Sequence, residues 1–178
     1  MKAVVDIETD ALNATKIHCI VAQNYYTGQT WQWVGDGCKR FPEWARGVDE
    51  FIMHNGLSFD APVLNRLLNT RIRREQVRDT LIESQLYNPV RDGGHSLESW
   101  GKRLSFIKGD FNEFKEYSQD MLLYCLRDTQ LTRRLAVQLE TEGKNFSSKA
   151  YELERNVRVI VDKQQENGFA FDLMKGQL

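Results

Sequence analysis

The chain has 178 residues, 41% hydrophobic and 28% charged, which suits one globular domain with a full core and room for an appended segment. Its 24 basic and 25 acidic residues leave a net charge of −1 and a pI near 6.3, which excludes broad coating of duplex DNA, where a pI above about 9 is usual. Three cysteines without C-x-x-C spacing exclude a disulfide framework and a zinc site, and no apolar run reaches the roughly 18 residues of a membrane span.

Met1-Lys2 leads straight into an apolar segment containing two acids, unlike a signal peptide, so the expected location is a reducing one such as the cytoplasm. Residues 2–8 are β-branched and apolar and too short for a helix, which predicts a buried strand. Residues 17–24 and 29–34 predict two more, with Tyr26-Thr27-Gly28 turning between them, so the chain opens as a three-stranded antiparallel meander. Residues 51–54 predict a fourth strand, and Asn55-Gly56 turns the chain into a helix over about 58–69. Gln76-Val-Arg-Asp79 reads as a fifth strand, and Thr80-x-x-Glu83 has the spacing of a capping box that would open the next helix.

After turns at Asn88-Pro89 and Gly93-Gly94, a helix is predicted over about 96–104, followed by an irregular stretch over 105–116. From Ser118 to about Glu140 a long helix carries Met121, Tyr124, Leu131, Leu135 and Leu139 at helical spacing. Strands followed by βα units predict an α/β fold, a mixed sheet of about five strands flanked by helices. The polar stretch 141–148 is the predicted boundary, dividing a main domain (1–143) from a helix and the start of a further segment (144–178). That helix places Leu153, Val157, Ile160 and Val161 on one face and ends at Asn167-Gly168.

Four acids stand out against this frame: Asp6-Ile-Glu8, Asp60, and Asp128 in Tyr124-x-x-x-Asp128. Asp6 and Glu8 are two apart and share a strand face. They are either solvated at a strand end or, as the apolar neighbours Val4, Val5 and Ile7 suggest, held together by a cation. Tyr124 and Asp128 share a helix face with core residues, as a buried hydrogen-bonded pair, as part of a metal site, or with Asp128 exposed on the helix flank beside Arg127. Asp60 suits a helix start, where the helix dipole favours an acid, as well as it suits catalysis. Acids converging on one point are neutralised by hard cations such as Mg²⁺ or Mn²⁺. Two such ions about 3.5–4 Å apart clamp the attacking and leaving oxygens of a phosphodiester.

Taken together, Asp6-x-Glu8, Asn55-x-x-x-Phe59-Asp60 and Tyr124-x-x-x-Asp128 resemble the three motifs of the DEDD exonuclease superfamily, in its tyrosine branch. The lead-in His54-Asn55-Gly56, the stretches Asp79-Thr80-Leu81 and His95-Ser-Leu-Glu-Ser-Trp-Gly101 before Lys108-Gly109, and Lys163-Gln-Gln-Glu-Asn-Gly-Phe-Ala-Phe-Asp172 are similar to family-A DNA polymerases of short-tailed phages. The resemblance implies an RNase H-like fold and the proofreading 3′→5′ exonuclease region of a replicative polymerase. It would act on the 3′ end of single-stranded DNA with two Mg²⁺ or Mn²⁺ ions, with a polymerase domain in cis or as a separate subunit.

It further implies that Asp6, Glu8 and Asp128 hold the metal that activates water, with Asp6 also touching a second metal served by Asp60, and that Tyr124 orients the water. Leu12 would wedge between the last two bases, Thr9 would meet the 3′ hydroxyl, and Asn55 belongs to the substrate-binding motif. Phe59 departs from the Tyr common at its position. A stand-alone ribonuclease and a silent polymerase scaffold are the rival readings. His95 and the four tryptophans read as loop and packing residues, with base stacking open to one tryptophan. Arg66, Arg71, Arg73, Arg74 and Arg78 read as a solvated helix end or a weak DNA-backbone contact.

Overall fold

The computed structural model describes residues 1–106, 111–171 and 175; Lys108, Gly109 and Asp172 of the motifs above lie outside them. Strand β1 (Lys2–Thr9) pairs antiparallel with β2 (Ile17–Asn24), which pairs antiparallel with β3 (Thr30–Val34). The expected meander is therefore present. A 3₁₀ turn over Gly35–Arg40 and a short helix α1 (Phe41–Ala45), neither expected from the sequence, lead to β4 (Glu50–Met53). Helix α2 (Asp60–Leu68) connects to β5 (Val77–Asp79), and helices α3 (Thr80–Tyr87), α4 (Leu97–Arg103), α5 (Gln119–Glu142) and α6 (Ser148–Asn167) follow. The sheet order is β3-β2-β1-β4-β5, with β4 parallel to β1 and β5 parallel to β4.

The central strand β1 is covered on both faces, and its alternation decides what each face carries. Ala3, Val5 and Ile7 join Ile20, Phe51, Met53, Phe41 and Leu64 in the core beneath α1 and α2. On the other face Val4 packs with Ile52 and Ala136, while Cys19 and Val21 pack with Met121 and Cys125 of α5. Leu131, Leu135 and Leu139 form the opposite flank of α5, against Leu97 and Trp100 of α4. The result is three layers, helices on either side of a mixed sheet: the RNase H-like architecture.

Most helix ends follow local chemistry. Ser96, Ser118 and Ser147 cap α4, α5 and α6 through side-chain oxygens that accept backbone N–H groups, and Gly168 closes α6 at φ 62°. Helix α3 begins where expected but not by the expected capping box. Its cap is Asp79, which accepts from Leu81 N at 2.9 Å. Glu83 instead makes a two-pronged ion pair with Arg78. The apolar face of α6 is only partly covered: Leu153 and Ile160 are exposed, while Val157 and Val161 line a groove with Ile82 and Leu86 of α3.

Candidate active site

The cross-strand register places Glu8 opposite Cys19 and Asp6 opposite Val21, so both acids face α5. Glu8 is buried and Asp6 partly so. The Cys125 thiol donates to the Asp6 carbonyl at 3.5 Å. One ligand atom from each of Asp6, Glu8 and Cys125 lies within 4.8 Å of the others. Asp128, one turn beyond Tyr124, is buried on the same helix. Burial, then the charges of Glu8, Asp128 and Asp60, push the Asp6 carboxyl well above the usual carboxylate range. All four carboxylates therefore act on one point, although three come from the sheet and α5 and the fourth from α2 on the opposite layer.

Asp60 opens α2 and is 5% exposed. Burial first, then the charge of Asp79, raise its carboxyl to about 7, against a downward pull from its own backbone N–H and that of Ile7. Carboxyl groups driven toward protonation in this way are ordinary carboxylates again beside a divalent cation. The donor set, hard oxygens held within a few ångströms, suits Mg²⁺ or Mn²⁺. Cys125, which the sequence reading passed over, lies within reach of the same point, but burial pushes its thiol well above the usual range and it donates a hydrogen bond to the Asp6 carbonyl. Its position next to Tyr124 was the one available signal.

A tight turn brings Asp60 to this point. Asn55 has φ 65°, a left-handed conformation that Asn tolerates better than most residues. The Gly56 position has no room for a side chain, since a Cβ would sit 2.2 Å from Met53 Cβ. The Asp79 carboxylate accepts from Asn55 N at 2.9 Å and Leu57 N at 3.0 Å. Beside them His54 Nδ1 meets Thr80 Oγ1 at 2.9 Å, and that hydroxyl donates to the Met53 carbonyl at 3.1 Å.

Tyr124 is partly buried, its ring 5.7 Å from that of Phe111 and 6.3 Å from that of Phe114. A β-bulge at Glu8/Thr9 leaves His18 without an opposite residue, and His18 Nε2 meets the Phe114 carbonyl at 2.9 Å. Phe114, Phe59, Leu12 and Ile7 line a cleft of about 470 Å³ beside Glu8. Leu12 is 90% exposed at its rim. Thr9 is buried at the cleft with its hydroxyl donating to the Ala11 carbonyl at 2.9 Å. Phe111 and Phe114 fall in the stretch read only as irregular; two aromatic residues in a polar run were the missed signal.

The arginine run does not form one patch. Arg78 is committed to Glu83, to Glu140 at 2.9 Å and to the Ala136 carbonyl, and Arg66 donates to the Ala14 carbonyl at 2.6 Å. His95 meets Ser84 Oγ, which also accepts from the Trp100 indole, so both rings hold the fold. Trp31 and Trp33 of the edge strand β3 pack against Trp44 and Phe41 of α1. The three cysteines are free and buried. Among the described residues no helix is long and apolar enough to cross a membrane.

No protein-family model matches the chain. Over 94% of its length it is homologous to the DNA-directed DNA polymerases of Escherichia phage T7, at 26% identity, and Enterobacteria phage T3, at 25%. It spans 33% of the length of these curated relatives. Among solved structures, NrnC of Brucella melitensis with bound Mg²⁺ superposes with a TM-score of 0.73 at 20% identity, covering 97% of this chain and 89% of that one. NrnC bound to pGG gives 0.70 at 21% identity, covering 93% and 83%.

Proposed function

We propose that this homologue of phage DNA polymerases is a metal-dependent 3′→5′ exonuclease region, removing nucleoside monophosphates from the 3′ end of single-stranded DNA as the proofreading part of a replicative polymerase. The observation that carries this reading is the convergence of Asp6, Glu8, Asp60 and Asp128 on one point, with Tyr124 a single turn from Asp128. Residues 1–143 would form the exonuclease unit and 144–178 the helix and start of the passage to a polymerase domain, in cis or as a separate subunit.

Asp6, Glu8 and Asp128 would hold one Mg²⁺ or Mn²⁺, and Asp60 would serve a second. When bound, such ions neutralise the phosphodiester and raise the acidity of water. The chain's own groups do the rest. The Tyr124 phenol aims the attacking water, its ring steadied by Phe111 and Phe114. The cleft between Leu12, Phe59 and Phe114 takes the terminal nucleotide, with exposed Leu12 free to insert between bases. Thr9 and Asn55 would meet the substrate, Thr9 at the 3′ hydroxyl, from loops that the Thr9 bond to Ala11 and the Asn55 N–H bond to Asp79 hold in place. The low net charge suits a site whose positive charge comes with its ions.

The test is release of mononucleotides from a labelled single strand with Mg²⁺, set against EDTA and an Asp6→Ala/Glu8→Ala variant. Wild-type protein as inert as the double variant ends the enzyme reading. A second reading, a ribonuclease rather than a DNA exonuclease, draws on the likeness to NrnC bound to pGG. Running the assay on an RNA oligomer of the same sequence separates the two.

A further inference from the structure

Helix α6 packs along α3 with none of its residues fully buried, and two of its side chains end on the turn that carries Asp60. The Ser58 hydroxyl, two residues before Asp60, donates to Asp162 Oδ2 at 2.7 Å across 104 residues of sequence. The Tyr151 hydroxyl accepts the backbone N–H of Asp79 at 2.6 Å. Asp79 in turn grips the same turn. One of its oxygens takes Asn55 N and Leu81 N, the other takes Leu57 N.

A helix cap needs only the Leu81 bond, and Asn or Ser would supply it equally well. Two further bonds that reach back 22 and 24 residues need both oxygens of a carboxylate. The buried carboxylate also adds negative charge next to Asp60, an electrostatic cost that capping does not explain. The turn has little freedom of its own to adjust, since Asn55 is left-handed and Gly56 is pressed on Met53.

We propose that α6 is a clamp on the active-site turn, with Tyr151 and Asp79 holding its first half and Asp162 its second, so that all three are positioning residues for the Asp60 carboxylate. The inference rests on the metal-site reading of Asp60. It makes the helix beyond the main domain part of the nuclease, so that a force on α6 is felt at the second metal.

The experiment is titration of the 178-residue chain with Mn²⁺, without nucleic acid, followed by calorimetry, for wild type, Asp162→Ala, Tyr151→Phe and Asp79→Asn, each also in an Asp60→Asn background. Exonuclease rates and melting temperatures are taken in parallel. Losing one hydrogen bond to a charged group corresponds to about a tenfold change in an equilibrium constant. Asp79→Asn should therefore weaken Mn²⁺ binding about tenfold, and the other two by about two- to fivefold. All three effects should vanish when Asp60 is already Asn, because the clamp acts through that residue.

Variants that melt earlier but bind Mn²⁺ and digest DNA as wild type does overturn the clamp and leave the nuclease reading intact. Weakened Mn²⁺ binding by a chain that digests neither DNA nor RNA keeps the clamp and ends the nuclease reading. If Asp79→Asn does not fold, Asp162→Ala decides alone, because it removes one partly buried bond at the domain surface. Unchanged Mn²⁺ affinity there overturns the proposal.

Discussion

Helices α5 and α6 have similar lengths and similar apolar spacing, yet they stand in opposite relations to the rest of the molecule. Ten residues of α5 are buried, on flanks facing the sheet and α4, and Asp128 is one of them. None of α6 is buried, and Leu153 and Ile160 face outward at 61% and 58% exposure. Its inward side is mixed: Tyr151 packs on the main core, Val157 and Val161 line a groove with Ile82 and Leu86 of α3, and Tyr151, Arg158 and Asp162 reach Asp79, Gln85 and Ser58. A helix packed on both flanks can hold a catalytic acid rigidly. A helix packed on one side only, with no residue fully buried, can only steer.

The sharpest test of that contrast sets one acid from each helix against the other. Removing a group that stabilises charge only in the transition state costs about a hundred- to a thousandfold in rate. Asp128→Ala should thus slow single-strand digestion about a thousandfold, while Asp162→Ala slows it no more than about fivefold. Single-turnover kinetics at saturating Mg²⁺ measures both, and similar losses would erase the distinction.

The next effect is on stability. Truncating a buried leucine costs about 2–5 kcal/mol, whereas surface changes stay within about 0.5 kcal/mol. Leu135→Ala on α5 should fall in the first range and Ile160→Ala on α6 in the second, read from urea unfolding midpoints. A large loss for Ile160→Ala would mean its face is covered in solution.

The acids Asp60 on α2 and Asp6 on β1 should also make the metal-free chain sensitive to pH. Asp60 holds its proton to about 7 in the folded chain and near 3.8 when unfolded. Between those values the folded state binds a proton that the unfolded state has released, so stability falls as pH rises through this window and levels off above about 7. Asp6 is raised in the same direction. Melting temperatures from pH 4 to 8 should show this decline without metal and a flatter profile with Mn²⁺. A decline that metal leaves untouched would separate the acids from any cation.

The smallest effect lies in the arginines once grouped together. Arg74→Ala, whose pair with Glu75 is exposed, should change melting by less than about 1 kcal/mol, while Arg78→Ala should cost several. Equal effects would show that the Arg78 pairs add nothing through burial.

Much of this was legible in the residues. The apolar runs at 2–8, 17–24 and 51–54 announced the inner strands, because β-branched side chains that pack on both faces leave few alternatives. The spacings of Asp6 to Glu8 and Tyr124 to Asp128 settled that each pair shares a face, since the periods of strand and helix are properties of the backbone. Glu83 was misread because a capping box and a cross-element ion pair need the same residue, and only the approach of Arg78 decides between them. Periodicity identified the apolar face of α6 but does not say how much of it a neighbouring element covers.

The sequence by itself therefore determined the elements, the sheet's opening meander and the identity of the four acids, all of them local consequences of backbone geometry. Only the tertiary structure decided that Asp60 crosses from the opposite layer to join the other three, that Cys125 lies among them, and that Asp79, Tyr151 and Asp162 hold the turn in between. Those are contacts over tens of residues to more than a hundred, fixed by how the layers close rather than by any local pattern.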